Sequence, residues 1–148
     1  MVGGRYGNWA SSLIRARGQN QRTNLEFGDV YVFGYQPDRA EERSGLIQTQ
    51  DLLPIFMVTR AYRKTMSGVN ILGIPTKSGQ KRMLERIKKA IDSDKSANKA
   101  RAVYDIERLT RVSKDFANAN KSYKWNNIKT RVVKLTPEDL EELAIRIL

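Results

Sequence analysis

The segment Gly28-Asp-Val-Tyr-Val-Phe-Gly-Tyr35 predicts the first strand of a β-sheet. It is rich in β-branched and aromatic residues, and Pro37, which cannot donate to a strand ladder, closes it. Because successive side chains of a strand point to opposite faces, its three aromatic side chains should share one face and its valines the other. Such an aromatic face is more often core or interface than a surface on which bases stack, and these alternatives stay open.

Three further segments predict strands. Residues 52–60 form a short apolar run with Pro54 near its start, where a missing amide is tolerated, and residues 68–74 form another. Residues 128–135 alternate as a strand does, and residues 61–67 make a basic hairpin connection. Short strands linked by turns bury little by themselves, so we expect a small, strongly bent antiparallel sheet of about four strands.

Helical periodicity takes over in the second half of the chain. Apolar residues recur every three or four positions in residues 80–91, 100–117 and 137–147, and charged residues fill the other faces. Before the last helix stands Thr136-Pro-Glu-Asp139, in which threonine caps, proline takes the first helical position and the acids meet the positive end of the helix dipole. We therefore expect an α+β fold with about three to four helices packed around the sheet.

One compact domain should account for most of the chain, because 148 residues match the size of a single hydrophobic core. Residues 1–25 are expected to form an N-terminal arm with a short helix that ends before Gly18, and residues 26–148 the α+β domain. Residues 38–50 are polar and lack an apolar period, so they predict a long loop of the kind that often makes contacts.

The net charge of +11 comes from 27 basic and 16 acidic residues and is spread unevenly. Residues 57–134 hold twenty bases against six acids, a net charge of +14. Residues 26–56 hold two bases against six acids (−4), and residues 135–148 hold one base against four acids (−3). The basic body indicates an anionic partner, with nucleic acid first among the classes. The acidic flanks equally allow it to bind other copies of the same chain.

The chain contains no cysteine and no histidine, which excludes the common zinc ligands, thiol nucleophiles, disulfides and imidazole bases. No apolar run approaches the roughly 18 residues of a membrane span. We therefore expect a non-enzymatic protein made in a cytoplasm, without a metal, cofactor, membrane or small-molecule substrate. Asp29, Asp38 and Asp51 offer a Mg²⁺ site for a nuclease, although single aspartates at strand boundaries more often cap turns.

Two basic segments are candidate contacts for nucleic acid or an acidic partner. Arg82, Arg86 and Lys89 are spaced by four and three residues and so lie on one helix face. An ordinary solvated face is the alternative, which Glu85 favours. The second segment mixes aromatic and basic residues, as do surfaces on which bases stack while cations contact the phosphates. Its candidate contacts are Lys121, Lys124, Trp125, Lys129 and Arg131.

Candidate subunit contacts are large apolar residues near the chain ends and within the second basic segment. They are Trp9, Tyr123, Ile147 and Leu148. Tyrosine and tryptophan anchor protein interfaces as well as stacking on bases, so both interpretations stay open. The apolar C-terminus needs a neighbour, either inside the fold or on another subunit.

Several short motifs occur in an order that resembles a family of small proteins encoded by T-even-like and other large contractile-tailed bacteriophages. The motifs in this sequence are Gly28-x-x-Tyr31-x-Phe33-x-Tyr35-x-Pro37, Asp51-x-Leu53-Pro54, Gly68-x-Asn70-x-x-x-x-Pro75, Ser122-Tyr123-Lys124-Trp125 and Ile128-Lys-Thr-Arg131. They are similar to the family's aromatic strand, its D-x-x-P-L and G-x-N-x-H-Y-L-P segments and its basic R-Y-L…I-R-S stretch. The chain departs from the family at Leu72 and Gly73, where the family has His-Tyr, so no role of that pair is carried over.

This resemblance implies a virion component made in the host cytoplasm, either a structural protein of the tail, baseplate or neck or a protector of the genome's DNA end. Its partners would be other virion proteins and copies of itself, with DNA as the alternative, and it implies no catalytic residues. A second resemblance, of residues 28–33 and 54–58 to the start of the MazF/PemK-type SH3-like ribonuclease toxins, implies an SH3-like sheet and an RNase alternative. Those toxins normally carry an arginine where this chain has Leu53.

Overall fold

The computed structural model describes residues 4–20, 25–45, 47–92 and 96–148. Its α-helices are α1 (Gly4–Arg17), α2 (Arg39–Ser44), α3 (Lys77–Ile91), α4 (Ser96–Val112) and α5 (Pro137–Glu142). Its strands are β1 (Val30–Val32), β2 (Ile55–Ala61), β3 (Thr65–Asn70), β4 (Asn120–Lys124) and β5 (Val133–Lys134). Short 3-10 turns connect several of them: Thr49–Leu52, Ile71–Gly73, Lys114–Ala119 and Trp125–Asn127. The expected α+β class is confirmed.

The described strands form one antiparallel sheet in the order β4-β3-β2-β1-β5. The strands β1 to β4 follow one another across the sheet, and β5 returns to pair with β1. The register between β2 and β3 shifts between Val58 and Arg60, a bulge of the kind that increases local bending and twist. Both α3 and α4 lie in the long connection between β3 and β4.

The alternation along β1 places valine and aromatic side chains on opposite faces of the sheet, as the sequence predicts. Val30 and Val32 pack with buried side chains of α1, α3, α4 and α5 in one core, called here the helix-covered core. Tyr31, Phe33 and Tyr35 belong to a second core, called here the aromatic core. The sheet therefore separates two apolar cores.

Phe33, Phe56 and Tyr123 form the centre of the aromatic core. The Tyr123 ring centroid lies 5.9 Å from that of Phe33 and 4.8 Å from that of Phe56, both in edge-on geometry. None of the three side chains is exposed. The aromatic face of the first strand is therefore core, and it offers no surface to bases or to another subunit.

The strand predicted at residues 128–135 is wrong in its extent, and β4 is not predicted at all. Ile128 makes a single bridge with Tyr35, and only Val133–Lys134 belongs to β5. The strand β4 pairs with β3 at the edge of the described sheet and buries one side chain, Tyr123. A polar edge strand of this kind lacks the apolar alternation by which strands are recognised.

The segment 38–50 is not the continuous loop that the sequence predicts. Asp38 accepts a hydrogen bond from the backbone N–H of Glu41 at 2.9 Å, and the Glu41 carboxylate accepts one from the Asp38 N–H at 3.2 Å. This capping box starts α2, which buries none of its side chains and so shows no apolar period. Leu46 lies outside the described residues.

The N-terminal helix α1 packs against the domain. Ala10 is completely buried in the helix-covered core, and the Tyr6 hydroxyl donates to the Leu53 carbonyl at 2.8 Å. The helix ends before Gly18, as predicted, and its 14 residues make it longer than the short helix expected. Residues 1–3 and 21–24 of the expected arm lie outside the described residues.

The C-terminal helix begins as the sequence predicts. Thr136 Oγ1 accepts a hydrogen bond from the Asp139 N–H at 3.2 Å, and Pro137 takes the first helical position. Asp139 also accepts a hydrogen bond from Arg17 of α1 at 2.7 Å, which ties the two ends of the chain together. Burial raises the pKa of Asp139, but the hydrogen bonds from Arg17 and Thr136 outweigh this effect and leave the pKa below its usual value.

Candidate functional site

The three cations of the first basic segment line one groove between α3 and α4. The apolar side of α3 is buried in the helix-covered core, which directs Arg82, Arg86 and Lys89 away from it. Together with Ala102 and Ile106 of α4, they line a groove of about 490 Å³, called here the basic groove. The spacing seen in the sequence therefore does place all three on one surface.

The basic groove carries positive charge that the described residues do not neutralise by direct pairing. Within the described residues, none of its three cations forms an ion pair. The Arg82 guanidinium instead lies 5.9 Å from the centroid of the Phe116 ring. Glu85 and Asp105 also line the groove and reduce its net charge. The groove can therefore bind an anionic partner, and its two acids restrict how that partner is placed.

The second basic segment does not form the expected stacking surface. Tyr123 is fully buried, and Trp125 is only 7% exposed, with its indole N–H donating to the Tyr62 carbonyl at 2.8 Å. Both rings belong to the aromatic core, because the pairing of β4 with β3 turns that side of the strand inward. The expectation that Trp125 stacks on bases is therefore wrong, and so is the expectation that Tyr123 contacts a neighbouring subunit.

The cations of that segment are bonded to groups of the same chain. Lys121 Nζ lies 3.4 Å from the Asp51 carboxylate, and Lys124 Nζ lies 2.5 Å from that of Asp38. The hydrogen bond from Lys124 is the main reason that the pKa of Asp38 falls to about 2. The other two donate to backbone carbonyls at 2.9 Å, Lys129 to Asn126 and Arg131 to Arg15. These cations therefore do not converge on a groove.

The other candidate subunit contacts pack within the chain. Trp9 is partly buried against the helix-covered core, with its ring 6.1 Å from that of Tyr6. The chain continues from α5 as a π-helical turn, Leu143–Ile147, and Ile147 and Leu148 pack against the same core. The apolar C-terminus therefore finds its neighbour inside the fold.

An acidic surface lies on α5 and the turn that follows it. It is a shallow groove of about 280 Å³, called here the acidic face, lined by Glu138, Glu141, Glu142, Ile145 and Arg146. Ile145 is 71% exposed, and Lys88 of α3 reaches Glu141 at 3.5 Å in a weak surface pair. The acidic face and the basic groove are lined by different residues, so one chain presents both signs of charge.

A buried polar cluster joins three of the motifs behind the phage resemblance. Asp51 is fully buried and accepts hydrogen bonds from Asn70 Nδ2 at 3.2 Å, from the Gln48 N–H at 2.9 Å and from the Tyr123 hydroxyl. Lys121 lies 3.4 Å from the same carboxylate. Burial, followed by the charge of Asp51, raises the pKa of Tyr123 well above its usual range, so the phenol stays protonated and donates. The cluster is therefore built to hold the fold together.

The three aspartates of the proposed Mg²⁺ site lie in separate contacts. Asp29 pairs with Lys99 at 2.9 Å and with Lys134 at 3.2 Å, while Asp38 caps α2 and Asp51 belongs to the buried polar cluster. In the described part of the chain, no group of three or more histidine, cysteine, aspartate or glutamate side chains is placed to hold a metal ion. The three carboxylates therefore do not assemble.

A surface that the sequence does not predict lies along a different side of α4. Phe27, Tyr62 and Tyr104, called here the aromatic patch, are 46%, 52% and 55% exposed. Phe27 and Tyr104 line a depression of about 250 Å³ together with Arg60, and Tyr62 lies two residues beyond Arg60, at the hairpin end of β2. The sequence could have indicated this surface through Tyr104, because a large ring that falls outside the apolar stripe of its helix is expected to be exposed.

Comparison with family models, with curated protein sequences and with solved structures finds no match to this chain. Among the described helices, none combines the length and the apolar composition that crossing a bilayer requires. Function is therefore inferred from the surfaces above and from the motif resemblance.

Proposed function

We propose that the chain is a non-enzymatic structural component of a tailed-bacteriophage virion, in its tail, baseplate or neck, assembled through contacts between copies. The observation that carries the proposal is the presence of two oppositely charged surfaces on one chain, the basic groove and the acidic face. Complementary charges bring such surfaces together and fix how they meet. A part of a large particle needs contacts of this kind.

The proposed contact places the acidic face of one copy in the basic groove of the next. Because the two surfaces differ, the contact is heterologous and repeats from copy to copy, which generates a ring or a helical stack. Ile145 is the most exposed of the large apolar side chains described, and this contact would cover it. Burial of that side chain adds apolar area to a contact that charge directs.

The motif resemblance supports the same assignment. Asp51, Asn70 and Tyr123 come from three separate motifs and meet in the buried polar cluster. Motif residues that hold the fold together, instead of lining an open site, support a structural role over a catalytic one.

Self-association should depend on both charged surfaces. The reversals E138K/E142K and R82E/R86E are each expected to weaken it at least about tenfold, because like charges then face each other. An equimolar mixture of the two variants should associate again, since each reversed surface meets an opposite charge on the other variant. Sedimentation velocity at low and high salt measures both effects. The matched control for R82E/R86E is R39E/R43E on α2, which makes the same change in charge at residues that line neither surface.

Two results would count against this function. A wild-type chain that stays monomeric at every concentration and salt, or an equal loss of association in the control, contradicts the assembly contact. The virion assignment has a separate readout, because mass spectrometry of purified particles of the encoding phage should detect several copies of the chain. Its absence from the particles contradicts that assignment.

DNA is the second candidate partner, and the cations of the basic groove, which pair with no acid in the part of the chain that the structure describes, favour it. Phosphates would occupy the groove, and affinity for duplex DNA would fall steeply as salt rises. A gel shift should then show binding that R82E/R86E loses and R39E/R43E keeps. Binding retained by R82E/R86E would rule out this groove as the DNA site.

We infer further that the sheet is SH3-like, as the resemblance to the MazF/PemK-type toxins implies. Its support is a sheet whose strands follow chain order until β5 closes back on β1, with the 3-10 turn Trp125–Asn127 in the connection before β5. The RNase alternative gains no comparable support, because Asp29, one of the three aspartates considered for a nuclease, is ion-paired with Lys99 and Lys134.

A further inference from the structure

We propose that the aromatic patch is a binding surface of its own and that its ligand is an unpaired strand of nucleic acid. This site goes beyond the assembly contact, because it uses other residues on a different side of α4. Its three rings stay about half exposed, although a folding chain gains free energy by burying large rings. Exposed aromatic area gathered in one place indicates an interaction surface.

Hydrogen bonds hold the groups next to the rings in place. Arg60 lies beside them and makes two hydrogen bonds to Glu107 of α4, at 3.1 and 3.2 Å. At the hairpin end of the patch, the Tyr62 carbonyl accepts the Trp125 indole N–H at 2.8 Å. These contacts order the surface before a ligand arrives, which lowers the entropy cost of binding.

Arginine side chains surround Tyr104 on its helix. Arg101 precedes it by three positions, and Arg108 and Arg111 follow by four and seven, so all of them lie on the same side of α4. All three are exposed. A chain of phosphates that passes over the Tyr104 ring would therefore meet cations before and after it.

The hairpin between β2 and β3 adds further positive charge. Arg63 and Lys64 follow Tyr62 directly, and both are exposed. Of the acids beside the rings, Glu107 is ion-paired with Arg60 at 3.1 Å and with Arg111 at 3.5 Å, and Glu26 is exposed. The cations of the hairpin and of α4 therefore outnumber the acids, and the patch attracts an anionic ligand.

Rings interspersed with cations fit an unpaired strand better than a duplex or a protein. Every base has a flat face that can stack on an aromatic ring while its phosphates follow the cations. In a duplex the base faces are hidden within the stack, so the exposed rings would contribute little. A protein partner would have to bring a strongly acidic surface of its own to match these cations.

The test is fluorescence anisotropy with labelled oligothymidylate and oligouridylate of about 20 nucleotides, a length that exceeds one such site. Tyr62→Ala and Tyr104→Ala are each expected to weaken binding about 5- to 100-fold, because each removes one base-stacking ring. Val112→Ala is the matched control, since it truncates a side chain that is 69% exposed and lines neither the depression beside Tyr104, the basic groove nor the acidic face. A duplex of the same length should bind more weakly and respond to neither tyrosine change. Thermal melting should show that all variants fold, because both rings are half exposed.

Three outcomes would overturn the proposal. The first is wild-type affinity in both tyrosine variants. The second is loss of strand binding in R82E/R86E alone, which would place the nucleic acid in the basic groove. The third is a wild type that binds no strand while Tyr104→Ala weakens self-association, which would make the patch a protein interface. Sedimentation velocity measures self-association separately. A negative result for strand binding therefore does not contradict the proposed assembly contact.

Discussion

Gly68→Ala is expected to destabilise the protein by roughly 3–5 kcal/mol, a large share of the stability of a domain this size. Gly68 lies in β3 beside β2, and a Cβ atom there would stand 1.9 Å from the Met57 carbonyl oxygen and 2.9 Å from the Phe56 ring. The nearer obstacle is backbone of the paired strand, so no side-chain rotation relieves it. The strands must separate or shift register to accept a single methyl group.

Urea unfolding followed by circular dichroism measures this effect. Gly45→Ala is the matched control, because Gly45 has φ +72° but no atom within 4 Å of its added Cβ. That change adds conformational strain without a clash and should cost about 1 kcal/mol. If both variants unfold at the same urea concentration, the close approach of β2 and β3 is not what requires glycine at position 68.

Local periodicity explains which parts of the fold can be predicted from the sequence. The alternation in residues 28–35 separates valines from aromatic residues, and the structure places them in two different cores. The three-and-four spacing in residues 80–91 locates α3 and also places Arg82, Arg86 and Lys89 in one groove. Both patterns depend only on neighbours within a few positions, so a single chain reveals them.

Contacts between distant residues explain what could not be predicted. Lys124 and Asp38 are 86 residues apart, and Tyr123 lies 72 residues from Asp51. The basic and aromatic composition of residues 121–134 is the same whether those side chains are exposed or bonded inside the fold. The aromatic patch is missed for the converse reason, because Phe27 and Tyr104 come together only when the chain folds. Composition alone therefore points to the wrong aromatic residues.

Asp51→Ala is expected to destabilise the protein by about 3–5 kcal/mol, because it removes one member of a buried, charged and hydrogen-bonded cluster. The Tyr123 hydroxyl and Asn70 Nδ2 lose an acceptor in a place that water does not reach, and Lys121 loses its carboxylate. The cluster also joins the turn Thr49–Leu52 to β3 and β4, so the sheet edge should loosen with it. Chemical unfolding gives the free energy, and amide exchange in β4 should accelerate more than in β1.

Tyr123→Phe distinguishes loss of the cluster from loss of one bond. It keeps the ring in the aromatic core and leaves Asp51 with Asn70 and Lys121, so it should cost only about 1 kcal/mol. If the hydroxyl and the carboxylate act together, the effects of Asp51→Asn and Tyr123→Phe will not add in the double variant. Additive effects, or an Asp51→Ala variant as stable as Tyr123→Phe, would mean that the buried carboxylate contributes no more than an ordinary hydrogen bond. Packing alone, without the hydrogen bonds, would then explain why Asp51, Asn70 and Tyr123 lie together.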